Sequence, residues 1–305
     1  MNVVDTVSSL KPRFGRRTMS VPAGGARAIT LRAIVGHKRA LLGAILTAIV
    51  VLMALVSIFW TPYDPMAFGA GEPFTPPSFA HPMGTDVYGR DILSRIMAGA
   101  QVSLTVAAVA VAGALVVGTV IGLVAGYVGG ILDLAVTRVV DILLAVPGLV
   151  FALGIVALLG PSAQSVTIAL SVVYTWQFAR IVRSVVVSVR NRSYVEAARG
   201  LDAGPLSIMV KDILPSVVPI LIVQVTTALA WGILDEASLG FLGLGVQPPD
   251  PSWGSLLIEG RQYLYDAPWL PLGAGAMVVI AVLGVNLLGD GLREIVDPRA
   301  GRSTS

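Results

Sequence analysis

Between Asp141 and Arg180 the chain runs for 38 residues without one charged side chain. About 20 apolar residues cover the hydrocarbon core of a bilayer as a helix. Four further runs are free of charge: 24 residues between Arg39 and Asp64, 37 between Arg95 and Asp133, 22 over Ile213–Leu234 and 23 over Ala267–Gly289. The longest run carries a turn signal, Gly160-Pro-Ser-Ala-Gln-Ser165, and so holds two spans. Spans are expected at 40–60, 102–126, on either side of 160–165 with the second ending near 188, at 213–234 and at 267–289. The fold class read from this is all-α: a polytopic membrane protein with six transmembrane helices. Charged residues make up only 13% of the 305 residues, about half the usual density of a soluble domain. That excludes a soluble enzyme, a disordered chain and a nucleic-acid binder. The first span is too long for a signal-peptide core and ends in Ile58-Phe-Trp60, not in small residues.

Basic residues set the orientation. Eight lie in 1–39, two in 61–99, one in 127–138, six in 180–211, one in 239–269 and three after 291. With the N-terminus inside, 18 of the 21 are cytoplasmic, so the topology is read as N-in/C-in. The divisions are a cytoplasmic tail (1–39), the first span (40–60), an extracytoplasmic loop (61–99), a five-helix core (100–291) and a second tail (292–305). The core includes a cytoplasmic loop over 189–213 and an outer loop over 239–269. In the first outer loop Ile92, Leu93, Ile96 and Met97 share one face, with Asp91 and Arg95 at i,i+4, which predicts a helix along the outer membrane surface. Trp60, Trp253 and Trp269 are expected in an interfacial aromatic belt. Ala110, Ala114, Gly118, Gly122 and Gly126 recur every fourth residue, the pattern of close helix packing.

No catalytic, cofactor-binding or metal-binding residue is predicted. Cys is absent, which removes disulfides and thiolate ligands. Gly84-Thr-Asp-Val-Tyr-Gly89 has P-loop spacing, but Arg90-Asp91 follows where Lys-Ser/Thr must reach phosphate and magnesium. It reads as a turn. Asp141, with Arg138 at i−3, reads as a local ion pair near the inner end of the third span. Asp235 and Glu236 either line a pore mouth, meet an outer partner or are solvated at the membrane boundary. Gln224 faces a pore or bonds to a neighbouring helix.

The loop over 194–215 reads as a short helix, Tyr194–Leu201, a Gly204-Pro205 break and a second short helix ending at Pro215. By its residues alone it either lies on the membrane surface or docks on a partner that covers Val195, Ala198, Leu201 and Leu206. Glu196-Ala197-Ala198, with Ile213 and Pro215 at offsets 17 and 19, resembles the EAA motif of permease subunits in binding-protein-dependent ABC importers. The motif has Gly at offset six, where this chain has Asp202; a turn with φ > 0 falls there, and Gly200 or Gly204 is expected to share the distortion. Three further segments resemble the C-type subunit of dipeptide/oligopeptide (peptide/nickel) permeases: His81–Arg95, Phe241–Gly254 and Asn286–Arg293 with Asp297-Pro-Arg299.

The resemblance implies the architecture of a type I ABC importer permease in the bacterial cell membrane. It implies a pore-forming subunit for peptides, paired with a homologous second permease subunit in a heterodimer. Two ATPase subunits would sit at the cytoplasmic face, holding ATP and Mg, and a substrate-binding protein would sit outside. This chain itself would not be an enzyme. Tyr194, Glu196, Ala197, Ala198, Asp202, Ile213 and Pro215 would couple ATPase closure to alternating access. Members of the family handle dipeptides, oligopeptides, nickel chelates, haem or sugars. The alternative is an ATP-independent secondary transporter or channel, which would call for ionisable residues in several spans and inverted repeats with broken helices.

Overall fold

Glycines and prolines decide where the long apolar runs become separate helices. The computed structural model describes residues 36–296. Its helices are α1 (Lys38–Ser57), α2 (Ile92–Val128), α3 (Gly130–Leu144), α4 (Gly148–Leu159), α5 (Ala163–Val189), α6 (Ser193–Gly200), α7 (Pro205–Phe241), α8 (Trp253–Gln262) and α9 (Trp269–Val296). No strand occurs among the described residues. The readings for residues 1–35 and 297–305 lie outside them.

Five helices are long and apolar enough to cross a membrane: α1, α2, α5, α7 and α9. The sixth crossing is broken. The third span was expected as one helix after a loop over 127–138. Instead α3 occupies most of that loop, and α4 leaves it at 88°. Gly129 (φ +73°) and Gly130 (φ +59°) turn the chain out of α2 with backbone that only glycine adopts readily. Pro147 then ends the helical path, because its ring pushes the preceding residue out of the helical region.

The packing shows that the bent pair does cross. A Cβ on Gly118 would touch the carbonyl of Thr175 and Cβ of Phe178; one on Gly122, Ala179 and Val182; one on Gly126, Val186. Residue numbers rise together along both helices, so α2 and α5 run parallel. The chain between them must therefore return to its starting side. The same glycines, with the fully buried Ala110 and Ala114, form the small-residue stripe read from the sequence. α1 and α9 run antiparallel through Gly43 against Leu287–Leu288 and Gly284 against Leu46–Thr47. Glu294 reaches back to Arg39 (3.0 Å) and His37 (3.2 Å), so both ends of the described chain lie on one side. By its basic residues that side, which also carries α6, is the inner one.

Several expectations are corrected. The residues around Ile92–Met97 do not form a separate surface helix; they are the first turns of α2, with Ile92, Ile96 and Met97 in the core. The Asp91 carboxylate caps α2 by accepting from the Ser94 amide (2.8 Å), and Arg95 turns away to Asp86 and Glu259. Asp141 is exposed and makes no ion pair with Arg138; the ion pair at this level joins Arg183 of α5 to Asp133 of α3, with Nη2 donating to Oδ2 at 2.8 Å. Trp253 is no belt residue. It is fully buried, its Nε1 donating to the Ile96 carbonyl at 3.2 Å.

The outer end is built round Arg95, which is 1% exposed. Its guanidinium donates to Asp86 at 2.8 Å and to Glu259 of α8 at 2.7 and 3.1 Å. Arg90 adds bonds to Asp86 (2.6 Å) and Glu259 (3.3 Å). Two cations balance two carboxylates, so the loop before α2 is tied to α8 without a net buried charge.

Candidate functional site: the inner coupling segment

The segment from Arg190 to Pro215 begins with a clamp. Arg190 Nη1 donates to the Gly126 carbonyl at 2.8 Å, fixing the exit of α5 against the end of α2. After two residues α6 starts. Glu196 lies in its first turn, where a carboxylate suits the helix dipole. Val195 is fully buried in this chain's own core, and Ala198 is half-buried against it, so neither waits for an outside partner. The other face differs. Tyr194 (41%), Leu201 (84%) and Leu206 (71%) are exposed, together with Glu196 and Ala197.

The turn after α6 has a definite form. The Asp202 amide donates to the Arg199 carbonyl and the Ala203 amide to the Ala198 carbonyl, both at 3.1 Å. This bonding pair is a Schellman cap, and Asp202 takes its left-handed position with φ +58°. The strain falls on Asp202 alone; Gly204 has φ −63°, and Gly200 is not left-handed either. Asp accepts this region better than most residues, which lets the turn survive the missing glycine.

The second short helix does not end at Pro215. α7 runs on from Pro205 to Phe241, 37 residues and roughly 55 Å. Its early part, Ile208–Ile213, is a π-turn. Pro215 has no amide to give and its ring displaces the carbonyl four residues back, Lys211, which lies inside that wider turn. Ile213 is fully buried, while Pro215 is exposed. Tyr194 Oη and Ser216 Oγ lie 3.3 Å apart, linking α6 to α7.

Two further residues belong here that sequence reasoning passed over. The Arg199 guanidinium sits over the ring of Tyr127, 5.4 Å from its centroid. Tyr127 closes α2, so α6 is tied to α2 as well as to α7. Nothing in the spacing joins residues 72 positions apart; only the motif's position pointed at Arg199's neighbours.

The three pore candidates separate. Gln224 is half-buried on α7 with no side-chain hydrogen bond among the described residues. Asp235 accepts from Tyr174 Oη of α5 at 2.7 Å. Glu236 is fully buried. Asp235 thus joins α7 to α5, whereas the Glu236 carboxyl is enclosed without a hydrogen-bond partner.

The family described as "binding-protein-dependent transport system inner membrane component" matches residues 118–302, more than half of the chain. This chain belongs to that family. The matched stretch contains the whole coupling segment, α7, α8 and α9. Among curated relatives, a dipeptide transport system permease protein of Alkalihalophilus pseudofirmus is 41% identical over 86% of each chain. A di/tripeptide transport system permease protein of Pseudomonas aeruginosa is 40% identical over 86% of this chain and 89% of its own. The dipeptide transport system permease protein of Escherichia coli is 40% identical over 86% and 90%. As an inner membrane component of a binding-protein-dependent system, the chain is a transport permease and not a catalyst of bond chemistry.

Proposed function

We propose that this chain is the pore-forming subunit of an ATP-driven importer for dipeptides or oligopeptides. The peptide assignment rests on the names of its relatives. The ATP-driven assignment rests on one observation. α6 offers an exposed face of Tyr194, Glu196, Ala197 and Leu201 at the inner end, and a capped turn joins it to a 37-residue helix that reaches the outer end. Such an element gathers force from a docked protein. An ATPase subunit covering Leu201 and Leu206 would displace α6, and α7 would follow as a rod. ATP and magnesium belong to those partners.

The second permease subunit would pack on the membrane-facing surface. An apolar groove of about 600 Å³ lies between α2 and α7, lined by Leu115, Val116 and Val120 on one side and Val218, Leu221 and Ile222 on the other. A substrate-binding protein would approach the outer end, over α8 and the loop before α2. Alternating access would be driven as the partners bind and hydrolyse ATP.

Purification of the tagged chain from its native membrane in mild detergent tests the assembly. A second permease subunit and ATPase subunits in stoichiometric amounts support it. A homo-oligomer without ATPase returns the chain to the secondary-transporter class. Within the assembled system, Glu196→Lys is expected to abolish peptide uptake while membrane insertion persists; normal uptake by that variant would sink the coupling role.

A further inference from the structure

The outer end of α7 holds an enclosed carboxyl. Glu236 is 0% exposed. The polar groups facing its carboxyl are the hydroxyls of Ser103 on α2 and Ser252, the N-cap of α8. Neither closes a bond of ordinary geometry, and both carboxyl oxygens are left without a partner. Buried polar atoms are almost always satisfied, so an exception calls for an explanation.

The surroundings supply one. Ser103 Oγ already accepts from the Trp253 amide at 3.1 Å, and Ser252 Oγ from the Ser255 amide at 3.1 Å. Each hydroxyl still has its own proton to donate, and Glu236 is the acceptor between them. The backbones beside it touch: a Cβ on Gly240 would meet the Gly254 Cα at 2.7 Å, and one on Gly254 would meet the Ala237 carbonyl at 2.8 Å. α7 and α8 are thus held at glycine distance beside an unclosed carboxyl. On the neighbouring side of α7, Asp235 is already bonded to Tyr174 of α5.

We propose that Glu236 is a positioning residue: a three-way clasp between α7, α2 and α8, open in this structure and closed onto Ser103 and Ser252 in the other state of the transport cycle. Closing it would lock α8 to the rod. The α8 helix carries Glu259, which holds Arg95, Arg90 and the loop before α2. A protein docked on the outer surface would then act on α7, and through about 45 Å of helix on the coupling segment. A clasp with two discrete arrangements is an element whose equilibrium two distant sites can both bias.

The inference rests on the importer reading, and its test separates the two. The assembled complex is reconstituted in nanodiscs with its binding protein, and ATP hydrolysis is measured with and without that protein. If the unaltered complex shows no stimulation, the importer reading fails. If it is stimulated, Glu236→Met, close to isosteric and without acceptors, is expected to lose the stimulation. Glu236→Gln, which can bond to both hydroxyls, is expected to keep it. Stimulation of Glu236→Met equal to the unaltered complex overturns the clasp, as does equal loss in both variants. Should Glu236→Met fail to assemble, hydrogen exchange in the unaltered complex decides. The amides of 253–256 are expected to exchange more slowly when a non-hydrolysable ATP analogue is bound, and unchanged exchange overturns the proposal.

Discussion

The amide of Ala203 donates to the carbonyl of Ala198 at 3.1 Å, and the bond closes over Asp202, which is held at φ +58°. The cap makes α6 and α7 one mechanical piece. A β-branched residue cannot take that conformation without a penalty of about 1–2 kcal/mol. Asp202→Val is therefore expected to loosen the cap and lower uptake, whereas Asp202→Gly, which restores the family's residue, is expected to match or exceed the unaltered chain. Uptake assays on matched amounts of membrane protein check both. Equal transport by the valine variant would show that the turn does not carry the load.

Arg199 over Tyr127 links α6 to the end of α2. A cation–π contact at a partly exposed site contributes about 0.5–1 kcal/mol. Tyr127→Phe keeps the ring and is expected to be neutral. Tyr127→Ala is expected to reduce uptake at unchanged expression, with ATP hydrolysis less affected than transport. If hydrolysis and transport fall together, the contact serves stability and not coupling.

Gly122 and Gly154 make a matched pair. A methyl group on Gly122 would meet the Ala179 carbonyl at 2.5 Å and Cβ of Val182 at 2.8 Å, whereas around Gly154 nothing lies within 4 Å. Overpacking typically costs about 1–3 kcal/mol. Gly122→Ala should lower the melting temperature of the detergent-solubilised protein, and Gly154→Ala should leave it level or raise it slightly through better helix propensity.

Arg95 is the hub of the outer end, shared between Asp86 and Glu259. Removing one partner of a buried ion pair costs about 3–5 kcal/mol, because the remaining charges stay behind. Arg95→Ala should expose the 61–91 loop to protease added from outside. Arg95→Lys should rescue only partly, since an ammonium cannot serve both carboxylates with the guanidinium's fork. A loop that stays protease-resistant in Arg95→Ala would show that the hydrophobic contacts of Trp253 suffice.

Much of this was legible from the charge-free runs. They located the crossings because exclusion of charge is a property of the bilayer and not of any partner. The residues around Glu196 placed the short helix α6, and the offset-six position located the left-handed turn. What stayed hidden depended on contacts between distant residues. No local pattern announces that Asp133 pairs with Arg183, or that Arg95 answers Glu259 and not Asp91. The break at Pro147 was hidden for a different reason. A hydropathy window registers apolar length, and a single proline changes direction without changing hydropathy. Trp253 misled because tryptophan at a membrane boundary and tryptophan in a core look alike until its neighbours are known.

The bent crossing has a consequence for the lipid around it. Two helices at 88° cannot both follow the membrane normal, and α4 alone is 12 residues, about 18 Å, against a hydrocarbon thickness of about 30 Å. Neither limb alone spans that thickness, so a bilayer meeting the exposed Leu158 directly would have to thin, or the pair to tilt, to match it.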